Sequence, residues 1–379
     1  MKGHFKKRGS TWYFWAELEP GADGKRQQKS AGGFRTRREA EHAFAVLRDS
    51  VRTGAYVATP KLTVGEFLVD EWLPAIQATV RPTTLQHYAS YVTVHIVPRI
   101  GRLQLARLGP AQLNAMYASL LEDGRSDGRG GLSPRSVRHV HTCLHKALHD
   151  AMRWGYLARN PADAADPPVP RTAEMTVWAP EQMRAFLASV ADDRLYAAWL
   201  LLATTGMRRG EVLGLRWEDV DLERRRLSVV RQLTTVNYRV AVSEPKTAKG
   251  RRSVALDGAT VKALRSHRAR QNAERLANAD VWQDAGLVFT HEDGSALHPH
   301  RFSAWFEQRR IAAGLPRIRL HDVRHSYATA ALSAGVAAKV VSERLGHANI
   351  TITLDTYSHV LPALQEDAAD KVASLILGP

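Results

Sequence analysis

The sequence predicts a multidomain α+β protein: a small β-sheet plus helix at the N-terminus, an all-α domain, and a mainly α domain with a small antiparallel sheet. The chain has 379 residues, which is more than one ordinary hydrophobic core accommodates. Its first segment alternates weakly between apolar and polar residues, as strands do, whereas the segments beyond residue 61 show mostly helical spacing. The stretch ADAADPPVPRTAEM is rich in Pro and Ala and predicts a linker at 166–176. These observations divide the chain into domains at 1–58, 61–165 and 177–379.

The first predicted domain combines a small sheet with one helix. WYFWAEL has the alternation of a strand, PGADGKR is a turn signal, and a capping box of Thr36 and Glu39 marks the start of a helix. A small basic sheet of this kind could lay strands in a DNA groove, although a solvated basic face is the simpler alternative. The basic residues that we predict to contact DNA here are Lys6, Lys7, Arg8, Arg35, Arg37 and Arg38.

The second predicted domain consists of four helical stretches. The last begins at Ser133 and Pro134, because Ser caps a helix and Pro needs no donor at the next position. On that helix we predict Arg135 and Arg138 as further DNA contacts. Three histidines also recur every four residues along it, and without Cys or carboxylate partners at ligand spacing we predict packing or phosphate contact rather than a metal site. These histidines are His141, His145 and His149.

The charge of the chain indicates a polyanionic partner. There are 53 Lys and Arg residues against 38 Asp and Glu, a formal net charge of +15 and a pI near 10.1. Nucleic acid is favoured over an anionic membrane because the sequence contains no long amphipathic helix with a basic face. No apolar run is long enough to span a bilayer, the N-terminus lacks the apolar segment of a signal peptide, and Cys143 is the only cysteine. We therefore expect a cytoplasmic, nucleoid-associated protein without a membrane partner.

The third predicted domain carries groups suited to breaking a phosphodiester bond without a metal or another cofactor. Such chemistry needs a nucleophile, cations on the non-bridging oxygens and an acid for the leaving oxygen. In TTGMRRGEVLGLRW, Arg208 and Arg209 follow a turn from which a guanidinium can present its planar fork to one phosphate. Glu211 could hold that guanidinium or the turn in place. The alternative for this stretch is an ordinary surface salt bridge.

Two further stretches add candidate cations. EPKTAKGRRSVAL predicts a hairpin with Lys246 where the strand gives way to the turn; Lys249 is a rival, and a solvated lysine is the simpler interpretation. In LHDVRHSYATAALSAG, helical spacing places His321 and Arg324 three residues apart on one face, so that both project into one pocket. His325 lies one step round the helix, and we predict packing or solvent contact for it.

The last stretch, ERLGHANITITLDTYSHV, places His347 at a helix end and Tyr357 on a second short helix. A phenol has a pKa of about 10 in solution and is a poor nucleophile unless a base takes its proton or cations stabilise the phenolate. We expect the histidines and arginines above to supply these cations. A helix-turn-helix around Gly335, with its second helix free to read a major groove, is the competing interpretation.

These motifs together resemble the tyrosine recombinases, also called the phage integrase family, whose pattern is Arg, Lys, His-x-x-Arg, His and Tyr in that order. TGMRRGE, PKT, LHDVRHSYAT, LGH and DTYSHV are similar to its successive boxes. The two N-terminal segments resemble the arm-site and core-binding domains of integrases. By this resemblance, the catalytic positions are Arg208, Lys246, His321, Arg324, His347 and Tyr357.

The resemblance implies a mechanism in which Tyr357 attacks a DNA phosphate and leaves a covalent 3′-phosphotyrosine and a free 5′-hydroxyl. It implies that Lys246 protonates the leaving oxygen and that His321 assists proton transfer, while the two arginines and His347 stabilise the pentacoordinate state. Neither ATP, metal nor another cofactor is then needed. The implied partners are double-stranded DNA attachment sites, a homotetramer that acts on two duplexes through a Holliday junction, a DNA-bending host factor and an excision factor.

The leading interpretation is a site-specific recombinase of the integrase type, which inserts and excises a phage or integrative element. One alternative keeps the same site but resolves dimers, as Xer recombinases do; the arm-type domain argues against it because Xer-type proteins lack one. The other alternative is a DNA-binding regulator that has lost catalysis, which the intact set of six residues disfavours. The tail PALQEDAADKVASLILGP is expected to pack on a neighbouring protomer or on its own domain.

Overall fold

The computed structural model describes residues 2–18, 27–52, 61–170, 176–245, 248–356 and 373–377. The chain divides into two compact units, Met1–Thr172 and Ala173–Pro379. Within the described ranges, no helix is both long and apolar enough to cross a membrane. The predicted fold class, helical parts combined with small antiparallel sheets, is confirmed.

The N-terminal sheet and its helix pack together through aromatic side chains on one face of the sheet. The elements are β1 (Gly3–Arg8), β2 (Thr11–Leu18), β3 (Gln27–Phe34) and α1 (Arg37–Arg52). The strands are antiparallel, with β2 in the centre. Phe14 is 2% exposed, and the rings of Phe14 and Phe5 contact that of Phe44 on α1 at centroid distances of 5.7 and 5.6 Å. On the other face, the rings of His4 and Trp15 stack at 5.5 Å.

The predicted start of α1 differs from a capping box in one bond. The backbone N–H of Glu39 donates to the Thr36 hydroxyl at 3.2 Å, as predicted. The Glu39 carboxylate, however, accepts from the backbone N–H of Arg35 at 2.9 Å, one residue before the expected donor. The predicted turn PGADGKR lies outside the described residues, as does most of the C-terminal tail.

The remainder of the first unit is helical. Its elements are α2 (Val64–Glu66), a π-helical segment (Phe67–Trp72), α3 (Leu73–Ile76), α4 (Pro82–Ser90), a second π-helical segment (Tyr91–Ile96), α5 (Val97–Ile100), a 3₁₀ turn (Leu105–Arg107), α6 (Pro110–Asp123), α7 (Pro134–Arg153) and a second 3₁₀ turn (Pro161–Ala164). α7 begins as predicted, because the Ser133 hydroxyl accepts from the backbone N–H of Ser136 at 3.2 Å. The fully buried Trp72 donates its indole N–H to Asp150 at 2.9 Å, which joins the first helical segments to α7.

Two of the three histidines along α7 make local contacts. His141 is buried, and its Nδ1 lies 2.8 Å from the hydroxyl of Tyr117 on α6. His145 lies 2.8 Å from the carboxylate of Asp163. These contacts tie α7 to its neighbours within the helical part.

The second unit is built around α9, whose residues are almost all buried. Its helices are α8 (Pro180–Ser189), α9 (Tyr196–Thr205), α10 (Arg209–Leu213), α11 (Gly258–Ala277), α12 (Pro299–Ala312), α13 (Asp322–Ser333), α14 (Ala338–Leu345) and α15 (Ile350–Thr356), with a short helical stretch at 373–377. Its strands are β4 (Val220–Asp221), β5 (Arg226–Val229), β6 (Gln232–Val236), β7 (Arg239–Ser243) and β8 (Arg252–Ala255). Trp199 of α9 stacks on Phe302 of α12 at 4.3 Å, in the centre of the core.

The strands on either side of the lysine turn do not pair with each other, so the predicted hairpin is wrong in its pairing. Instead, β7 pairs with β6 and β8 pairs with β5, both antiparallel. β5 and β6 follow each other along the chain, so β7 and β8 lie against successive parts of one extended segment. Alternation identifies a strand but not its partner, which is why the sequence did not reveal this. Lys246 and Thr247, which stand between β7 and β8 in the sequence, lie outside the described residues.

Candidate active site

The first predicted arginine is positioned by a helix end and a buried carboxylate. α9 ends at Gly206, whose left-handed conformation (φ 64°) turns the chain so that Arg208 caps α10. The Glu211 side chain is 1% exposed and accepts from the Arg208 backbone N–H at 2.9 Å and from its guanidinium at 2.7 Å. A carboxylate buried this deeply excludes the surface salt bridge considered above. The Arg209 guanidinium donates instead to the Ser303 hydroxyl at 2.7 Å.

The second predicted arginine connects three segments of the unit. Arg324 on α13 is 3% exposed and donates to the carbonyl oxygens of Gly206 at 2.8 Å and Leu345 at 2.6 Å. Gly206 begins the turn that leads to Arg208, and Leu345 is the last residue of α14, shortly before His347. The guanidinium of Arg324 therefore joins its own motif to two others that are far away in the sequence, the arginine motif after Gly206 and the LGH motif that begins at Leu345.

Three histidines border these arginines. His347 follows Gly346, whose left-handed conformation (φ 68°) ends α14. Its Nδ1 lies 2.8 Å from the hydroxyl of Thr353 on α15. The rings of His321 and His325 meet edge to face at a centroid distance of 5.2 Å. The N-cap and first turn of α13 thus present two imidazoles, and the turn after α14 presents a third.

The electrostatic interactions among these side chains indicate that they share one site. Burial, followed by the charges of Arg324 and Arg208, lowers the pKa of His347 to about 4. Desolvation, with His325 and Arg324 as neighbours, also lowers the pKa of His321, although the residue is exposed and solvent weakens this effect. The expectation that the histidines supply positive charge is therefore wrong for the protein without a bound anion. Near pH 7, His321 and His347 are neutral, and the arginines carry the charge.

The lowered pKa of His347 predicts a pH-dependent stability. Its folded pKa lies below that of the unfolded chain, so the unfolded state binds more protons as the pH falls from 7 to 5 and the free energy of unfolding decreases. In His347→Asn, which cannot titrate, we expect this decrease to be smaller by about 1 kcal/mol. Urea unfolding of both proteins at pH 7, 6 and 5 measures the difference. Identical pH dependence would contradict the burial of a neutral His347.

Comparison with known proteins covers each part of the chain. Residues 177–363 match the phage integrase family, residues 4–49 match an arm DNA-binding domain, and residues 63–121 match the N-terminal SAM-like domain of phage integrases. The chain belongs to the phage integrase family of tyrosine recombinases. It is therefore a site-specific DNA recombinase, as the sequence predicts.

Relatives of this recombinase include both Xer-like proteins and integrases. A protein named tyrosine recombinase XerC-like, from Caldanaerobacter subterraneus subsp. tengcongensis, is 28% identical over 397 aligned residues that cover 99% of each chain. The ICEBs1 integrase of Bacillus subtilis is 27% identical over 354 residues, which cover 90% of this chain and 91% of its own. The solved integrase of the Tn1549 transposon, in complex with transposon right end DNA, has the same fold. Its TM-score is 0.67 at 22% identity, over 81% of this chain and 99% of its own.

Four of the six predicted catalytic residues of the recombinase are brought into one site, and two lie outside the described residues. The four are Arg208, His321, Arg324 and His347. Of the other two, Tyr357 directly follows the last residue of α15 in the sequence, and Lys246 stands between β7 and β8 in the sequence. The rival lysine is Lys249. Its ammonium group donates a hydrogen bond to the carbonyl oxygen of Ala348 at 2.8 Å, so Lys249 contacts the loop that directly follows His347.

The packing of α14 gives this helix a part in the site, which the helix-turn-helix interpretation did not include. Gly335 is left-handed (φ 78°), so α13 and α14 do meet at a tight turn. However, Val341 and Leu345 of α14 are fully buried and pack with Ala328 of α13. The last turn of α14 also supplies the carbonyl that holds Arg324. In the recombinase, α14 supports the site rather than standing free of it.

The predicted DNA contacts of the first unit all lie at the surface. Arg37 pairs with Glu41 at 2.9 Å, and its guanidinium lies 5.8 Å from the ring of Trp12. Arg8 lies 5.8 Å from the ring of Tyr13. The exposed residues are Lys6, Lys7, Arg8, Arg35, Arg37, Arg38, Arg135 and Arg138. Their exposure is compatible with phosphate contact, which stays a prediction.

Two residues at the site were not predicted from the sequence. His325, assigned there to packing or solvent, contacts His321 and lies among the charges of the site. Arg252 donates to Glu211 at 2.8 and 3.1 Å. Helical spacing could have identified His325, which stands on α13 four residues after its N-cap, His321. No local signal distinguishes Arg252 from the adjacent Arg251, because its bond with the carboxylate spans 41 residues.

We expect Gly206→Ala to lower the free energy of unfolding of the second unit by more than the strain of a left-handed alanine would by itself. A Cβ at this position would lie 2.5 Å from Cδ1 of Tyr327 and 2.6 Å from Cδ2 of Leu345. The left-handed strain costs about 1 kcal/mol and overpacking roughly 1–3 kcal/mol more. Gly314→Ala is the matched control, because Gly314 has the same φ of 64° and no described atom lies within 4 Å of its added Cβ. Urea unfolding compares the two variants, and equal losses would contradict the predicted clash.

Proposed function

We propose that this recombinase integrates and excises a phage or another integrative element, by cutting and rejoining attachment-site DNA through a 3′-phosphotyrosine. The observation that carries the proposal is the pair of bonds from buried Arg324 to the carbonyls of Gly206 and Leu345. Through these bonds, α13, which carries Arg324, holds two other segments in place. One leads to Arg208 and the other leads to His347. Donors held in place before the DNA arrives suit a transition state in which negative charge develops on the phosphate.

In the proposed first step, the phenolic oxygen of Tyr357 attacks the phosphorus and the P–O5′ bond breaks. The phenolic proton passes to His321, and the ammonium of Lys246 gives a proton to the leaving 5′ oxygen. The imidazole of His321 is neutral near pH 7, so its ring nitrogen can accept a proton, although its lowered pKa makes it a weaker base than an ordinary histidine. Rejoining reverses these steps, with the 5′-hydroxyl of a partner strand as the attacking group. One phosphoester bond replaces another at each stage, so neither ATP nor a metal is required.

The non-bridging oxygens of the phosphate are bound by the guanidinium groups of Arg208 and Arg324 and by the ring of His347. When the Thr353 hydroxyl donates to Nδ1 of His347, the ring proton lies on Nε2, and the neutral imidazole acts as a donor. The two guanidinium groups neutralise the charge of the phosphate, and the imidazole of His347 adds a neutral donor. Because this imidazole is uncharged, the site without DNA does not carry a third positive charge.

We assign residues 1–58 to arm-type sites, 61–165 and 177–379 to the core site and its chemistry, and 166–176 to the linker. The exposed basic residues of the first unit contact DNA phosphates. Four protomers bind two double-stranded attachment sites and exchange strands in two steps through a Holliday junction. A DNA-bending host factor and an excision factor join this assembly, which acts on the nucleoid in the cytoplasm.

A recombination assay with two different attachment sites tests this proposal. One site is taken from the DNA beside the gene and the other from its unoccupied target, and the full-length protein acts with host extract in EDTA without ATP. We expect joining of the two different sites, together with a covalent protein–DNA adduct. Recombination between two identical sites alone would favour the dimer-resolving alternative. Binding without adduct or recombination would favour the non-catalytic regulator.

A further inference from the structure

Arg252, the first residue of β8, occupies a position that the mechanism above does not use. Its side chain is 7% exposed. Its two terminal nitrogens donate to the Glu211 carboxylate at 2.8 and 3.1 Å, and its Nε donates to the carbonyl of Arg344 at 2.6 Å. A fourth bond runs to the carbonyl of Gly250 at 3.1 Å. The guanidinium also lies beneath Gly346, where an added Cβ would be 3.0 Å from Nη1.

The acceptors of Arg252 belong to three segments that carry the candidate site. Glu211 holds Arg208 by its backbone and by its guanidinium. Arg344 lies in the last turn of α14, immediately before the sequence LGH. Gly250 ends the short helical turn that follows the lysine segment. The guanidinium of Arg252 therefore contacts three segments: the one that carries Arg208, the one that leads to His347, and the one that follows Lys246.

The charges at this point have a consequence for Arg208. Glu211 is a single buried carboxylate between two guanidinium groups. Burial opposes its ionisation, but the hydrogen bonds from Arg252 and the charges of both arginines hold the pKa of Glu211 below its ordinary value. Because Arg252 neutralises the carboxylate, the positive charge of Arg208 is not cancelled by Glu211. Without Arg252, Glu211 and Arg208 would form a closed ion pair with little charge left for a phosphate.

We propose that Arg252 is a positioning residue for strand cleavage, which neutralises Glu211 so that Arg208 keeps its charge for the scissile phosphate and which fixes the turn before His347. This inference rests on the proposed function. The fork of the guanidinium is essential to it, because one planar group must reach a carboxylate and two carbonyls at once. Arg252→Lys keeps the charge but loses the fork, whereas Arg252→Gln loses both.

The test uses attachment-site DNA with a nick near the cleavage point, in two chemical forms. One form has an ordinary scissile phosphate; the other has a methylphosphonate, which lacks the negative charge on one non-bridging oxygen. We expect Arg252→Gln to form the covalent adduct on the phosphate at least about 10²-fold more slowly than the wild type at saturating protein, with DNA binding unchanged. On the methylphosphonate, the deficit should shrink by about tenfold or more, because less charge has to be neutralised. The rate of adduct formation by Arg252→Lys on the phosphate should lie between the rates of the wild type and of Arg252→Gln.

Arg194→Gln is the matched control. Arg194 also binds one carboxylate with two nitrogens, Glu274 at 2.6 and 2.5 Å, and one carbonyl, that of Thr290 at 2.6 Å, in the same unit. Rates are normalised to the folded fraction from urea unfolding, and the normalised rates of this control should match the wild type on both substrates. If Arg252→Gln does not fold, Arg252→Lys tests the fork alone, and its normalised rate on the phosphate should fall below that of the wild type.

Two outcomes would overturn the role of Arg252. One is a wild-type rate for Arg252→Gln on the phosphate; the other is an equal deficit on phosphate and methylphosphonate, which indicates a general structural effect. Failure of the wild type to form any adduct on its own site is a separate outcome, and it would overturn the proposed function instead.

Discussion

Replacing Tyr357 by Phe is expected to abolish formation of the covalent protein–DNA adduct, by more than about 10⁴-fold, while DNA binding is retained. The variant keeps the aromatic ring but has no oxygen to attack phosphorus. The groups that the structure brings together at the site are donors and neutral imidazoles, which stabilise charge or carry protons and cannot replace this nucleophile. Adduct formation on a nicked attachment-site substrate is measured on a denaturing gel, and binding is measured in parallel by mobility shift.

Tyr238→Phe is the matched control for this prediction. Tyr238 is 87% exposed at the turn between β6 and β7, so the same chemical change is made there without touching the site. We expect this variant to form the adduct at the wild-type rate in EDTA. An adduct formed by Tyr357→Phe would show that another residue is the nucleophile. A wild-type protein that forms none on its proper site would count heavily against the whole mechanism.

Arg324→Lys should slow adduct formation by about 10²–10⁴-fold and lower the free energy of unfolding by about 2 kcal/mol. Two different nitrogens of Arg324 donate to the carbonyls of Gly206 and Leu345, at 2.8 and 2.6 Å. A lysine ammonium is a single point and cannot span both acceptors while it also meets a phosphate. The turn that leads to Arg208 and the end of α14 would then lose their common anchor. Single-turnover adduct rates and urea unfolding measure the two effects separately.

Arg310→Lys separates catalysis from stability. Arg310 on α12 is 8% exposed and donates to the carbonyl of Leu315 at 2.6 Å and to the Glu307 carboxylate at 2.8 and 2.9 Å. We expect it to lose stability, as the Arg324 variant does, but to cleave at the wild-type rate per folded molecule. Similar rate losses in the two variants would mean that Arg324 acts only through the fold.

The sequence was sufficient for the fold class and for the local placement of the motifs. Helical spacing predicted that His321 and Arg324 share one helix face, because that relation depends only on the geometry of α13. The start of α7 followed from Ser133 and Pro134 in the same way. Each of these features is decided within a few residues, where backbone preference and a single side-chain bond are enough.

Features that depend on long-range pairing could not be predicted in this way. The strands beside the lysine turn were expected to pair with each other, but each pairs with a different part of the segment from β5 to β6. The histidines were expected to be cationic, but burial beside two arginines lowers the pKa of His347 to about 4. Solvent exclusion and strand partners are properties of the packed unit, and no single motif contains them.

By itself, then, the amino-acid order determined which chemical groups the chain carries, that they match one enzyme family, and on which local elements they stand. The tertiary structure alone decided that Arg324 reaches the carbonyl of Gly206 across 118 residues and that Arg252 shares Glu211 with Arg208. The physical reason is that a hydrogen bond is directional and short. Whether two distant groups meet at less than 3 Å depends on how helices and strands pack, which is a collective result of the whole core.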